Sequence, residues 1–303
     1  MKVFYDPSYV VSEYGFDTTR KSGWIANSLA ARPIAGIDLV SPQPLTTADI
    51  ELVHDCRYVD AVRTGSPRDL AEAQGFGWDP GLWDMVCGSN GGVLAAARAA
   101  LTDNVAGSLS SGLHHAKYGR GEGFCTFNGL VIAAKKLLAE GAVSSVLILD
   151  FDAHCGGGTA ELIAEDQHIT QHDVSVSVFD WYEVTANSAL TEVTSADNYL
   201  PSIRRALHTA AQDRPFDLCL YNAGMDPYEG CSVGGLAGIT AQMIAEREHL
   251  VFDWCRCRRI PVCFVLAGGY VGPRLTESVL VNLHRQTIAS AQTCESPRAA
   301  RCG

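Results

Sequence analysis

Six short β-rich runs, apolar almost without interruption, constrain this chain more than any other feature. They fall at 2–5, 105–110, 146–150, 174–179, 216–221 and 261–266, and helical periodicity fills much of the sequence between them. A strand with one wet face alternates polar and apolar residues. A run such as Val146, Leu147, Ile148, Leu149 has no wet face and needs cover on both sides. The pattern predicts an α/β fold: a single-domain, open, doubly wound, mostly parallel sheet with helices on both faces. Helices are expected at 47–63, 81–101, 128–140, 159–165, 198–212, 240–258 and 273–287. At 303 residues with 47% hydrophobic and 19% charged, the chain is long enough to bury such a core in one domain spanning 1–303. Only the stretch from about 290 to 303 lacks a core pattern and reads as a flexible tail.

Charge and cysteine content exclude some classes. A net charge of −11 argues against nonspecific nucleic-acid binding, which needs basic surface; it favours a cationic small-molecule or peptide substrate, and an acidic balance also simply serves solubility. The N-terminus meets Asp6 and Pro7 too early for a secretory signal, and no apolar stretch approaches the length of a membrane span, so a cytoplasmic location is expected, with no membrane partner. The eleven cysteines show no paired metal spacing and read as reduced core thiols. Oligomeric state is not legible.

Four of the apolar runs end in residues that carry chemistry. After Leu149 come Asp150, Asp152 and His154, which alternation along an extended strand places on one face, where one cation could touch two of them. A pair of acids capping the next helix would use the same residues. Leu109 leads into the adjacent imidazoles His114 and His115, Leu218 to Tyr221 into Asp226, and Val262 to Leu266 into Gly268, Gly269 and Tyr270. In doubly wound sheets ligands bind at the carboxyl ends of strands, so the four ends are expected to converge. A hydrolytic metal site needs a few ligands, an open position and a base that is not itself a ligand. Asp152, His154 and Asp226 could be the ligands, His114 and His115 the base region, and Tyr270 a phenol aimed at an oxyanion, the two glycines letting backbone approach a ligand. A hydrogen-bonded histidine pair and a rim tyrosine are the structural alternatives.

Taken in order, Gly112-Leu113-His114-His115-Ala116, Gly123-Phe124-Cys125-Thr126-Phe127-Asn128, Asp150-Phe151-Asp152-Ala153-His154, Gly224-Met225-Asp226 and Gly268-Gly269-Tyr270 resemble the histone deacetylase and acetylpolyamine amidohydrolase family. The resemblance runs from about Val53 to Leu275 and includes Val53-His54-Asp55-Cys56-Arg57-Tyr58. It implies an arginase/deacetylase-like fold and amide hydrolysis at one Zn2+, with Asp152, His154 and Asp226 as ligands. His115 would be base and acid, His114 would assist electrostatically, Asp150 would orient His114, and Tyr270 would polarise the acyl carbonyl. Phe124 would line the substrate tunnel, Gly268 and Gly269 would border it, and Asp79 would grip substrate amides at its rim. A structural K+ near Asp150, backbone carbonyls around Asp152 and His154, and Ser177 is also implied. The substrate would be an acyl, and in the first instance acetyl, amine: acyl-lysine, an acetylpolyamine or a small metabolite.

Two departures from the family pattern stand out. After His154 relatives carry an Asp or Asn three residues on, whereas this chain reads Cys155-Gly156-Gly157, so no partner for His115 is identified. The stretch 180–198 is short and polar where relatives carry a longer Gly-rich rim, which makes Trp181 and Tyr182 candidates for a rebuilt pocket wall. Two rivals follow. A dinuclear-manganese ureohydrolase-like enzyme would share Asp152-Ala153-His154, but Gly156, Asn222 and Gly224 stand where further carboxylates would be needed to bridge two cations. A catalytically silent acyl-amine-binding protein would have no chemical reason to keep a base, a phenol and an open metal position together.

Overall fold

Eight strands join in one sheet, every strand pairing parallel, in a computed structural model that describes residues 1–294. In chain order they are β1 (Lys2–Phe4), β2 (Asp38–Val40), β3 (Val105–Ser108), β4 (Val146–Asp150), β5 (Ile169–Ser175), β6 (Ser188–Glu192), β7 (Leu218–Gly224) and β8 (Val262–Ala267). Across the sheet they run β2-β1-β3-β8-β7-β4-β5-β6. The helices are α1 (Asp17–Ala31), α2 (Thr47–Ile50), α3 (Cys56–Thr64), α4 (Arg68–Ala71), α5 (Gly81–Asp103), α6 (Gly129–Ala139), α7 (Gly157–Ile163), α8 (Tyr199–Ala210), α9 (Ala241–Arg258) and α10 (Glu277–Cys294).

The side-chain alternation of β4 shows how the sheet is covered. Leu147, Leu149 and the following Phe151 pack with residues of α1, α8, α9 and α10, while Val146 and Ile148 pack with residues of α3, α5, α6 and α7. Each fully buried aliphatic side chain contributes roughly 1.5–3 kcal/mol, so β4 is held by burial on both of its faces. β3 and β4 are consecutive in the chain but separated in the sheet by β8 and β7. The strands whose ends carry the chemical residues, β3, β8, β7 and β4, are therefore four neighbours in a row.

The structure departs from the expected elements where burial and polarity part company. The helix expected at 47–63 is two: Thr46 and Asp49 close a capping box around α2, and the Asp55 side chain accepts from the Arg57 N–H to start α3. α1 was not anticipated because Thr18, Thr19, Lys21 and Ser22 lie on its buried face. β5 begins at Ile169, earlier than the run at 174–179, since Gln171, His172 and Asp173 are polar yet buried. The edge strands β2 and β6 are short and partly exposed and have no apolar run. Residues 290–294, expected in the tail, continue α10 with Ser290 and Ala291 buried, and 295–303 lie outside the described residues.

Candidate active site

β4 and β7 deliver their carboxylates side by side. One ligand atom each from Asp152, His154 and Asp226 lies within 4.8 Å of the others, and all three residues are buried. His154 Nδ1 stands 3.1 Å from Asp152 Oδ1 and 3.2 Å from Asp226 Oδ2. Asp226 Oδ1 accepts the Ala153 N–H at 2.9 Å, whereas its buried Oδ2 has the His154 imidazole beside it but makes no hydrogen bond of good geometry. Burial, and then the neighbouring charge of Asp152, push the Asp226 carboxyl above its ordinary pKa. Two buried carboxylates, one with an oxygen lacking a good hydrogen bond, facing one imidazole nitrogen, fit a divalent cation by charge and donor type. The backbone is shaped for this approach: a Cβ on Gly224 would overlap Asp152, and one on Gly268 would overlap the Asp226 carboxyl. Gly268 and Gly269 also adopt φ of +54° and +88°, which favour glycine.

The two histidines after β3 have different partners. His114 Nδ1 lies 2.7 Å from Asp150 Oδ2, whose other oxygen accepts the Asn222 side-chain N–H at 2.8 Å. Burial disfavours the His114 cation, but Asp150 and Asp152 outweigh it and raise its pKa to about 10. His115 Nδ1 lies 2.9 Å from Asp180 Oδ2, so a partner exists after all, on the loop that follows β5. Burial, then the charge of His114, lower the His115 pKa to about 4. The two rings stand 3.9 Å apart between centroids. Gly123 lets the next turn pass beside His115, since a Cβ there would overlap the imidazole.

His115, His154, Gly123, Phe124, Ser177, Phe179, Val233, Gly234 and Tyr270 enclose a cavity of about 360 Å³. Phe124 is held at φ +64° with its N–H given to the Gln74 carbonyl, and such left-handed backbone in a bulky residue collects at functional sites. The second wall is Phe179, whose ring meets His115 edge-on at 5.0 Å. It takes the place expected of Trp181 and Tyr182, which turn instead to Glu192 and to the Ala189 carbonyl. Burial, then Asp226 and Asp152, push the Tyr270 phenol well above its ordinary pKa, so it remains a proton donor.

Not every expected site residue lies among these. Asp79 is buried and accepts from Ser12 Oγ at 2.5 Å and from the N–H groups of Glu13 and Gly81, so its carboxylate clamps the 11–15 segment. Ser177, expected beside Asp150, lines the cavity and accepts from the Phe179 N–H, while both Asp150 oxygens are taken by protein donors; nothing here supports a K+ at that point. Cys155 is a buried thiol 3.3 Å from Ser175 Oγ, its pKa pushed up to about 12 by burial. Two buried cations also escaped sequence reasoning. Buried Lys21 donates to the Gly268 carbonyl at 2.8 Å, beneath the turn that presents Tyr270. Arg247, wholly buried, donates to the carbonyls of Phe151 and Gly224 and so ties the ends of β4 and β7 together. Neither gives a periodic or motif signal.

Parallel α/β architecture with a candidate metal triad, a histidine pair and a tyrosine at adjoining strand ends defines a class of hydrolase-like proteins. Residues 16–285 match the model of the histone deacetylase domain, and the chain belongs to that family. It is 32% identical to an uncharacterised protein of Picosynechococcus sp. over 76% of this chain and 77% of that one, and 30% identical to Histone deacetylase 2 of Arabidopsis thaliana over 65% of this chain and 53% of that one. The match thus spans about half the length of the Arabidopsis protein. Among solved structures, an acetylpolyamine aminohydrolase from Burkholderia pseudomallei superposes with TM-score 0.78 at 19% identity, covering 97% of this chain and 99% of that one. The HD domain of HDA15 superposes with TM-score 0.76 at 19% identity, covering 97% and 94%. These two show that the fold is of the arginase/deacetylase type. Among the described residues no helix is long and apolar enough to cross a membrane.

Proposed function

We propose that this protein is a single-domain, zinc-dependent amidohydrolase that removes a short acyl group, acetyl in the first instance, from the amine of a linear amide. The observation that carries the reading is the buried triad of Asp152, His154 and Asp226, whose Asp226 Oδ2 makes no hydrogen bond of good geometry, opening on a cavity that also holds His115 and Tyr270. One divalent ion held by those three residues would supply Lewis acidity toward a carbonyl and acidify water. Among the described residues the triad is the only cluster of this kind.

The chain's own residues divide the remaining work. With Nδ1 of His115 facing Asp180, Nε2 is the nitrogen free to take a proton from water and later return it to the leaving amine. His114, held by Asp150, adds positive potential beside it. Tyr270 donates a hydrogen bond where negative charge develops on the acyl oxygen. Phe124 and Phe179 flank the substrate and limit its width, and the glycines 268 and 269 bring backbone against it. An acyl-lysine side chain, an acetylated polyamine or a small acylated metabolite would fit a narrow cavity in a protein of charge −11.

The test is turnover of a panel containing an acetyl-lysine peptide, an acetylated polyamine and short N-acyl amines by zinc-loaded protein, with metal analysis of wild type and Asp226→Ala. Turnover that disappears together with the metal in the variant supports the reading. A zinc-loaded wild type that hydrolyses none of the panel, or a variant that keeps both metal and activity, would overturn it.

A further inference from the structure

We propose that Asp180 is the positioning residue for His115, supplied by the loop after β5 in place of a side chain at position 157, and that this loop makes the pocket wall and the orientation of the base one mechanical unit. The inference rests on the hydrolase reading for its kinetic consequence but not for its structural one.

The geometry is specific. Asp180 Oδ2 accepts from His115 Nδ1 at 2.9 Å and from the Gly158 N–H at 3.0 Å, while Oδ1 pairs with Lys117 Nζ. Three donors from two segments, the turn after β3 and the start of α7, fix the carboxylate, whose side chain is only 5% exposed. Asp180 itself adopts φ +59°, a left-handed turn that Asp tolerates better than most residues and that folds its side chain back toward β3. The loop is also tied to the metal-bearing segment. The Val176 and Ser177 N–H groups donate to the Ala153 carbonyl, and the Cys155 N–H donates to the Phe179 carbonyl.

Gly157 is the other half of the arrangement. A Cβ built there would overlap the Asp180 carbonyl oxygen, its Cγ and its Oδ1. The space a side chain at 157 would fill is thus taken by the Asp180 carboxylate and backbone, and the orienting group for His115 reaches the same place from another strand. Phe179, the cavity wall against His115, is the residue next to Asp180. Whatever moves the wall therefore moves the acceptor that selects the His115 tautomer, whereas an orienting residue at 157 would have left wall and base independent.

The experiment compares wild type with Asp180→Ala, Asp180→Asn and Gly157→Ala by steady-state kinetics, zinc content and 15N NMR of the histidine rings in zinc-loaded protein. Asp180→Ala is expected to lower kcat about 10- to 100-fold with little change in KM and zinc content. In the NMR arm it should lose the Nδ1–H tautomer of His115. Asp180→Asn keeps an acceptor oxygen and should restore the tautomer and most of kcat. Gly157→Ala retains the carboxylate but crowds the loop and should reproduce the Asp180→Ala phenotype. An unaltered His115 tautomer in Asp180→Ala overturns the proposal, as does loss of zinc in step with activity, which would make the role merely structural. If no substrate is found, the NMR arm still decides the matter, so failure of the hydrolase reading and failure of this one are separable.

Discussion

Phe16 and Phe124 stack face to face, with ring centroids 4.0 Å apart and planes 12° from parallel. Phe16 comes from the turn that opens α1, and its ring also lies 5.8 Å from that of Tyr270, so the N-terminal segment buttresses the cavity wall from behind. Aromatic pairs of this kind contribute about 0.5–1.5 kcal/mol beyond the area they bury. Phe16→Ala should therefore raise KM for an acyl amine by about 2- to 10-fold while kcat stays within about twofold, because the ring shapes the binding wall without touching the reacting atoms. Steady-state kinetics checks this; a fall in kcat at constant KM would show that Phe16 acts on the chemistry and not on the wall.

Gly268 presses on the candidate metal ligand. With φ at +54° and no room for a Cβ against the Asp226 carboxyl, Gly268→Ala should displace that side chain and weaken zinc binding by about 10- to 100-fold with the fold retained. Metal titration followed by circular dichroism measures both. Zinc affinity equal to wild type would mean that Asp226 is not a ligand or that the turn has more slack than its contacts indicate.

These cases mark the line between what was legible in the sequence and what was not. Asp152, His154, Asp226 and Tyr270 could be located because each follows an apolar run, and a run apolar at every position fixes a buried parallel strand whose carboxyl end is where ligands collect. That these strand ends converge was expected, but the order β3-β8-β7-β4 was not legible in the sequence, because two covered faces do not by themselves select which strands are neighbours. Asp180, Phe179 and Phe16 were missed because their roles depend on loops whose paths no periodicity encodes. Asp180 in particular lies 65 positions from the histidine it meets. Asp79 shows the same limit from the other side: the Ser12 hydroxyl and the Glu13 N–H that its carboxylate accepts are brought to it by the folded path of 11–15, which its place in the chain does not announce. Lys21 and Arg247 broke the polar-outside expectation that hid α1 and gave α9 a polar look.

Arg247 gives the largest expected effect on stability. Its guanidinium binds the carbonyls of Phe151 and Gly224 and the hydroxyl of Tyr199, and it pairs with buried Glu248. Arg247→Met keeps much of the volume but leaves Glu248 without its counter-charge and two strand-end carbonyls without a donor. Removing one partner of a buried pair costs about 3–5 kcal/mol, so urea denaturation should show a loss of that size. The double variant Arg247→Met with Glu248→Leu should recover part of it, since the stranded charge is then gone. A single variant within about 1 kcal/mol of wild type would contradict the assigned role.

His54 predicts how stability depends on pH. Its Nδ1 lies 2.8 Å from the Lys117 carbonyl and its Nε2 accepts the Asn128 N–H at 3.0 Å, which fixes the neutral tautomer with the proton on Nδ1. A second proton would set Nε2–H against the Asn128 N–H inside the core. Burial accordingly lowers the folded pKa to about 4, against 6.5 for a free imidazole. Because the folded value is the depressed one, the unfolded chain binds more protons between those limits. The contribution of His54 is then complete above about pH 6.5 and is lost as pH falls toward 4, by roughly 3 kcal/mol in full. Asn128 also binds the His114 carbonyl, so the loss reaches the histidine pair. His54→Gln, which has no titrating proton, should flatten this part of the stability curve. Urea midpoints at several pH values from 7 to about 4 compare the two proteins, and equal slopes would show that His54 does not titrate with folding.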